Sequence, residues 1–314
     1  GSDQVVLEGA KGSDSKEIMA AIEDLEAGGS TAGSEGIKTA YEIARKYFKA
    51  DGNNRVILAT DGDLNVGITS EGELTRLIKK EKESGVFLSV LGFGTENIKD
   101  NKMEALADNG NGNYSYIDSR FEAKKVLSEE LGANFFTVAK DVKFQLEFNP
   151  KFIKGYRLIG YENRIMDDED FKDDTKDGGE IGSGHRVTVL YEIVDKDSPM
   201  DIGSDLKYQS SAVTESNDLL NIAVRYKEPD SETSKELNYP VTTEAIKTEM
   251  SDNMKFASAV AETGMLLRDS EFKGKSSYDD VESLLNSISD IKSDTNKLEF
   301  LLLVKKIASM TKEQ

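Results

Sequence analysis

The segment Arg55–Gly67, Arg-Val-Ile-Leu-Ala-Thr-Asp-Gly-Asp-Leu-Asn-Val-Gly, constrains the fold of this chain more than any other. Val56–Ala59 is an unbroken apolar run of strand length, the pattern of a strand buried on both faces. It ends in Thr60, Asp61, Gly62 and Asp63, so carboxylates emerge where the strand stops. In an open α/β sheet that carboxyl end is where ligands and ions sit.

The segments around it read as its supports. Gln4–Leu7 is a weak strand. Ser15–Ala27 carries Ile18, Met19, Ile22 and Leu25 at helical spacing and stops at Gly28-Gly29. After Ser30-Thr31-Ala32-Gly33, a second helix places Ile37, Ala40, Tyr41, Ala44 and Phe48 on one face and closes at Asp51-Gly52. A helix over Glu71–Ser84, a strand over Phe87–Phe93, a short helix around Met103 and Leu106, a strand over Tyr114–Ile117 and a long helix over Phe121–Ala139 follow. Strands alternating with helices imply parallel pairing in a doubly wound layer.

Near residue 140 the period changes. Val142, Phe144, Leu146 and Phe148 alternate with Lys143, Gln145, Glu147 and Asn149, which predicts a strand with one wet face. Further strands are predicted at Tyr156–Tyr161, Arg186–Val194, Leu206–Ser210, Leu219–Tyr226 and Leu237–Val241, as an antiparallel sheet or sandwich. Helical patterns return at Asn253–Leu267, Tyr278–Ser287 and Thr295–Met310, and three short helices are expected to pack on the preceding domains. The reading is therefore α/β in three parts: a partial doubly wound, Rossmann-like layer over 1–139, an antiparallel β-sandwich-like region over 140–250 and a helical segment over 251–314.

Composition narrows the chemistry. The net charge is −19 over 314 residues, which repels phosphate backbones and disfavours nucleic acid and anionic membranes. Divalent cations are favoured instead. There is no cysteine, which removes thiol catalysis and thiolate metal sites. The one histidine, His185, lies in Gly182-Ser-Gly-His185 and reads as a surface loop residue rather than a catalyst. No Gly-x-Ser-x-Gly elbow, phosphate loop or small-molecule substrate site is recognisable.

Gly28-Gly-Ser-Thr31-Ala-Gly and Leu58-Ala-Thr-Asp61-Gly-Asp63 resemble the second and third metal loops of the von Willebrand factor type A domain. With Leu91-Gly-Phe-Gly94, Asn109-Gly-Asn-Gly-Asn113 and Gly155-Tyr-Arg-Leu-Ile-Gly-Tyr-Glu-Asn163, the whole chain resembles a bacterial group of such proteins with a β-rich and helical C-terminal extension. The resemblance implies a metal-ion-dependent adhesion site (MIDAS) built from three loops. Magnesium, or calcium or manganese in its place, takes oxygen ligands there, and an acidic side chain of a protein partner completes the shell. Magnesium wants six oxygens at about 2.1 Å and keeps several waters, so few carboxylates are needed. By motif, Thr31 offers its hydroxyl and Asp61 its carboxylate; without an ion, Thr31 would cap a helix and Asp61 would end a strand in a turn.

The family's first metal loop reads Asp-x-Ser-x-Ser, and no aspartate here is followed by serine two positions on. The first strand of such a sheet lies beside the focal strand, so Val56–Ala59 is expected to present an open, apolar edge. The missing N-terminal segment of the same protein is therefore expected as a partner, and this chain alone is expected to bind magnesium weakly or not at all.

Other acidic stretches carry less. Asp61-x-Asp63-x-Asn65 begins like an EF-hand loop, but Val66 and Gly72 stand where glycine and glutamate are required. The run Met166–Asp177 reads as a solvated loop, and Asn109–Asn113 as a tight turn before a strand. The function expected is a non-enzymatic protein-interaction or adhesion module; the alternatives are a scaffold part with a vestigial metal site and a metal-assisted hydrolase. Relatives of this group are often exported and lipid-anchored, so the resemblance implies an extracytoplasmic location, at the bacterial surface or in the periplasm.

Overall fold

A computed structural model describes residues 4–25, 33–61, 71–94, 100–161, 164–176, 178–200 and 216–312. The chain forms two compact units, one of Gly1–Phe144, Glu169–Arg186 and Val224–Leu237, the other of Gln145–Asp168, Val187–Ala223 and Asn238–Gln314.

In the first unit, helices α1 (Ser15–Glu23) and α2 (Gly33–Lys46) precede β1 (Arg55–Thr60). Then α3 (Glu71–Glu83), β2 (Phe87–Gly92), α4 (Asp100–Asn109) and β3 (Tyr114–Tyr116) alternate. The three strands pair in parallel in the order β1-β2-β3, with Val56 opposite Leu88 and Val90 opposite Tyr114. The expected α/β layer is present, and β1 is its edge among the described strands. Ile37 and Tyr41 of α2, Leu74 and Ile78 of α3 and Met103 and Leu106 of α4 close on Val56, Leu88 and Val90. Each such buried aliphatic side chain contributes about 1.5–3 kcal/mol. Ile57, on the other face of β1, remains 49% exposed.

The loop Gly110-Asn111-Gly112 shows why glycines alternate there. A Cβ on Gly112 would lie 1.8 Å from the Leu88 carbonyl oxygen, so only glycine lets this backbone rest on β2. Asn111 between them takes φ 51°, a left-handed conformation that asparagine tolerates.

Several expectations fail for identifiable reasons. Gln4–Leu7 forms no strand. The helical spacing of α1 is real, yet α1 buries none of its residues, and Met19 and Ile22 are each 53% exposed. The long helix expected over Phe121–Ala139 breaks into α5 (Arg120–Lys124), a π turn at Lys125–Glu129 and α6 (Leu131–Phe135), and β4 (Thr137–Phe148) begins before its expected end. The break brings α6 against β6 (Gly179–Gly182), where a Cβ on Gly182 would meet the Ala133 carbonyl oxygen at 1.7 Å.

A four-stranded sheet runs β6-β4-β8-β9, with β8 at Asp218–Lys227 and β9 at Ser234–Thr242. The alternation read in β4 does not survive as read. Asp141 at φ 53° interrupts the β4–β6 register between Ala139 and Val142. Lys143 is buried beside Val142, while Phe144 is 45% exposed. The Lys143 ammonium donates to the carbonyls of Asp170 and Asp173. From Glu169 to Lys176 the acidic run is thus tied down within the first unit: Phe171 is buried, and Arg225 pairs with Asp174 at 2.9 Å.

In the second unit, β5 (Ile153–Ile159) and β7 (Leu190–Asp195) form an antiparallel ribbon. Phe148 stacks on Tyr156 at 4.3 Å and meets Tyr191 edge-on. The candidate strand Leu206–Ser210 lies outside the described residues. Helices α7 (Asp252–Leu267), α8 (Tyr278–Asn286) and α9 (Thr295–Lys312) fall where their spacing predicts. They bury a core of their own, from Ala259 through Val281 and Leu285 to Leu301 and Val304. Small Ala259 and the edge-on pair Phe256–Phe300 allow that close approach. Contact with the ribbon is made by Phe272, over which the Arg157 guanidinium lies at 4.1 Å.

Candidate functional site

The sequence directs attention to the carboxyl end of the parallel sheet. Thr60 is the last residue of β1 and stands opposite Gly92 of β2. The Phe93 amide donates to the Thr60 carbonyl at 2.8 Å, so the two chains leave the sheet side by side. Asp61 follows directly and is exposed. Its neighbour across the edge is Gly94, at φ +95°, where an added Cβ would lie 3.8 Å from the Asp61 Cβ. The Tyr116 hydroxyl donates to the Gly94 carbonyl at 2.7 Å, tying the end of β3 to the loop after β2. Beside it, burial together with a hydrogen bond to the Asp100 carboxylate pushes the Tyr114 phenol well above its ordinary pKa.

Asp61 is therefore the first residue past β1 and lies against a glycine that keeps the edge open. Thr31 lies outside the described residues, as do Asp63 and Asn65. Sequence reasoning noted Leu91–Gly94 as a phrase without assigning it a role. The structure gives Gly94 the place beside Asp61, and the signal for it was glycine directly after an apolar strand. His185 is an exposed loop residue, its amide closing a turn onto the Gly182 carbonyl.

The donor chemistry of the described residues does not amount to a complete cation site. Magnesium requires six oxygens, several of which are waters. No group of three or more His, Cys, Asp or Glu side chains among the described residues is placed to hold a metal ion. At the carboxyl edge, Asp61 is the one motif ligand that they include.

Comparison with known proteins agrees with the architecture. The von Willebrand factor type A domain matches residues 3–130, and the family described as "Uncharacterized protein YfbK, C-terminal" matches residues 133–310. The chain is 39% identical over 311 residues to "Uncharacterized protein YfbK" of Escherichia coli (strain K12). That match covers 97% of this chain and 53% of the relative, so the chain spans about half the relative's length. Among solved structures, a von Willebrand factor type A protein from Catenulispora acidiphila is 16% identical with TM-score 0.40, covering 95% of this chain and 68% of that one. The conserved hypothetical protein BatB from Bacteroides thetaiotaomicron is 22% identical with TM-score 0.32, covering 38% of this chain and 68% of that one. A parallel β1–β3 layer, followed by antiparallel strands and three helices under a matching C-terminal model, places the chain in the family of von Willebrand factor type A proteins that carry the YfbK C-terminal domain.

Proposed function

We propose that the chain is a non-enzymatic protein-interaction module that recognises its partner at the carboxyl edge of β1–β3. In this reading a divalent cation, magnesium or else calcium or manganese, bridges Asp61 to an acidic side chain of a protein partner, and Thr31 adds a hydroxyl ligand. The observation that carries the reading is the exposed position of Asp61 beside Gly94, at the sheet end where such folds place ligands. The remaining ligands come from an upstream segment of the same protein, whose strand pairs with β1. The edge position of β1 and the half-exposed Ile57 support that pairing. An extracytoplasmic location belongs to the same proposal. No helix among the described residues is long and apolar enough to cross a membrane.

Magnesium titration by calorimetry tests the reading on this chain, on the chain extended by its upstream coding sequence, and on Asp61→Ala in both. The extended protein should bind magnesium at least about tenfold more tightly, a difference of about 1.4 kcal/mol, and Asp61→Ala should erase that gain. Equal affinity of the two forms would overturn the claim of a shared site. Partner capture that is indifferent to Asp61→Ala in the extended protein would make the site vestigial and the module a scaffold part.

A further inference from the structure

At the opposite, amino end of the same sheet, the first unit contains an open cleft of about 740 Å³. Its floor comes from the residues that feed the strands: Asn53 and Asn54 before β1, Phe87 opening β2, and Asn111 before β3. The volume falls in the range of real ligand sites, about 300–1,000 Å³. Three properties of the wall define what would fit.

The wall is acidic. Six carboxylates line it, from Asp51, Glu83, Asp141, Glu180, Asp230 and Glu232, against two lysines, Lys82 and Lys140. Asp141 is neutralised by Lys227 and Glu232 by Lys140. Asp51, Glu83 and Asp230 form no such pair among the described residues, and all three are exposed. The wall also presents bare rings, since Phe48 is 44% and Phe136 51% exposed. Carboxylates beside half-exposed phenyl rings suit a guanidinium, which pairs with the one and stacks on the other.

The third property is independent of the charge. Asn111 lines the cleft and is only 6% exposed, yet its Oδ1 has no hydrogen-bond partner. A buried polar group left unpaired costs about 1–3 kcal/mol. A primary amide both donates and accepts, the complement of one peptide unit of an extended backbone.

We propose that this cleft binds an extended, arginine-bearing peptide segment of a protein partner. The carboxylates and rings receive the basic side chain, and the Asn111 amide pairs with the segment's backbone. This site is separate from the Asp61 edge and does not depend on a metal there.

The test is fluorescence anisotropy with a labelled, end-capped Gly-Arg-Gly-Arg-Gly peptide. Spermidine serves as a competitor that lacks a peptide backbone, and a Gly-Glu-Gly-Glu-Gly peptide as the charge control. The arginine peptide should bind in a salt-sensitive manner and the glutamate peptide should not. The double variant Asp51→Asn/Glu83→Gln, confined to exposed positions, should weaken binding at least about tenfold. Asn111→Gly keeps the left-handed backbone accessible and should weaken the peptide severalfold while leaving spermidine unchanged. No binding of the arginine peptide at millimolar concentration, or equal binding by the wild type and the double variant, overturns the proposal. Spermidine competing as tightly as the peptide overturns its peptide component and makes a small polyamine the occupant. Circular dichroism of each variant identifies a loss that comes from unfolding, and the double variant decides the question should Asn111→Gly fail to fold.

Discussion

The Lys227 ammonium donates a 2.5 Å hydrogen bond to the Asp141 carboxylate, joining β8 to the interrupted point of β4 within the first unit. Both side chains are largely buried, at 7% and 16% exposure. Burial opposes the charged lysine, but the hydrogen bond to Asp141 and the fields of Glu232 and Asp174 outweigh it and hold its pKa above the ordinary value. The same carboxylate accepts the Gly178 amide through Oδ1 at 3.0 Å, so it also anchors the chain entering β6.

Removing one partner should therefore cost more than an exposed ion pair is worth. Lys227→Met removes the ammonium that faces the largely buried Asp141 carboxylate, with an expected loss of about 3–5 kcal/mol. Adding Asp141→Asn should restore part of it. Urea melts of the two single variants and the double variant form a cycle that checks this, with an expected coupling of about 0.5–3 kcal/mol.

Two glycines should respond in opposite directions. Gly112→Ala drives a methyl into the Leu88 carbonyl, which requires β2 or the loop to move, and should cost on the order of 4 kcal/mol or more. Gly36 lies in α2 with no atom within 4 Å of an added Cβ. Gly36→Ala should stabilise by about 0.5–1 kcal/mol. Thermal midpoints of the two variants test the pair, and a harmless Gly112→Ala would show that the loop does not rest on β2.

Helix α8 starts with a reciprocal cap: Ser277 Oγ accepts the Asp280 amide, and Asp280 accepts the Ser277 amide at 3.0 Å. Ser277→Ala should cost about 1 kcal/mol, and Ser277→Gly only a few tenths. The ranking of the two variants in denaturant melts is the informative readout.

Acid should loosen the second unit through Asp252. The Ser289 hydroxyl and amide donate to its carboxylate at 2.5 and 3.0 Å, and Lys255 adds a weaker contact. Together they hold its pKa below the ordinary aspartate value. A carboxylate depressed in the folded state stabilises above its unfolded pKa, about 3.9, and loses that contribution as pH falls through the folded value. The stability gap between wild type and Asp252→Asn should hold steady above about pH 5 and close below about pH 4. A gap independent of pH would mean that the charged form is not what Ser289 holds.

Local patterning determined much of this protein. An apolar run ending in a carboxylate specified β1 and the exposed place of Asp61, because β-branched and aliphatic residues suit a pleated strand and a carboxylate suits the solvent just past its end. The spacing of apolar residues likewise marked α7, α8 and α9 to within a few residues, since a helix's own period decides which face is buried. Tertiary structure alone decided what those elements meet. Lys143 lies inside and Phe144 half outside because Asp141 breaks the strand's register and its carboxylate meets Lys227, a residue far along the chain. The acidic cleft is of the same kind: Asp51, Asn111 and Asp230 come from three separate connections and Glu83 from the end of α3, and only the closing of the sheet puts their side chains around one space. Periodicity reports the faces of a single element; charge pairing across elements is created only when they pack.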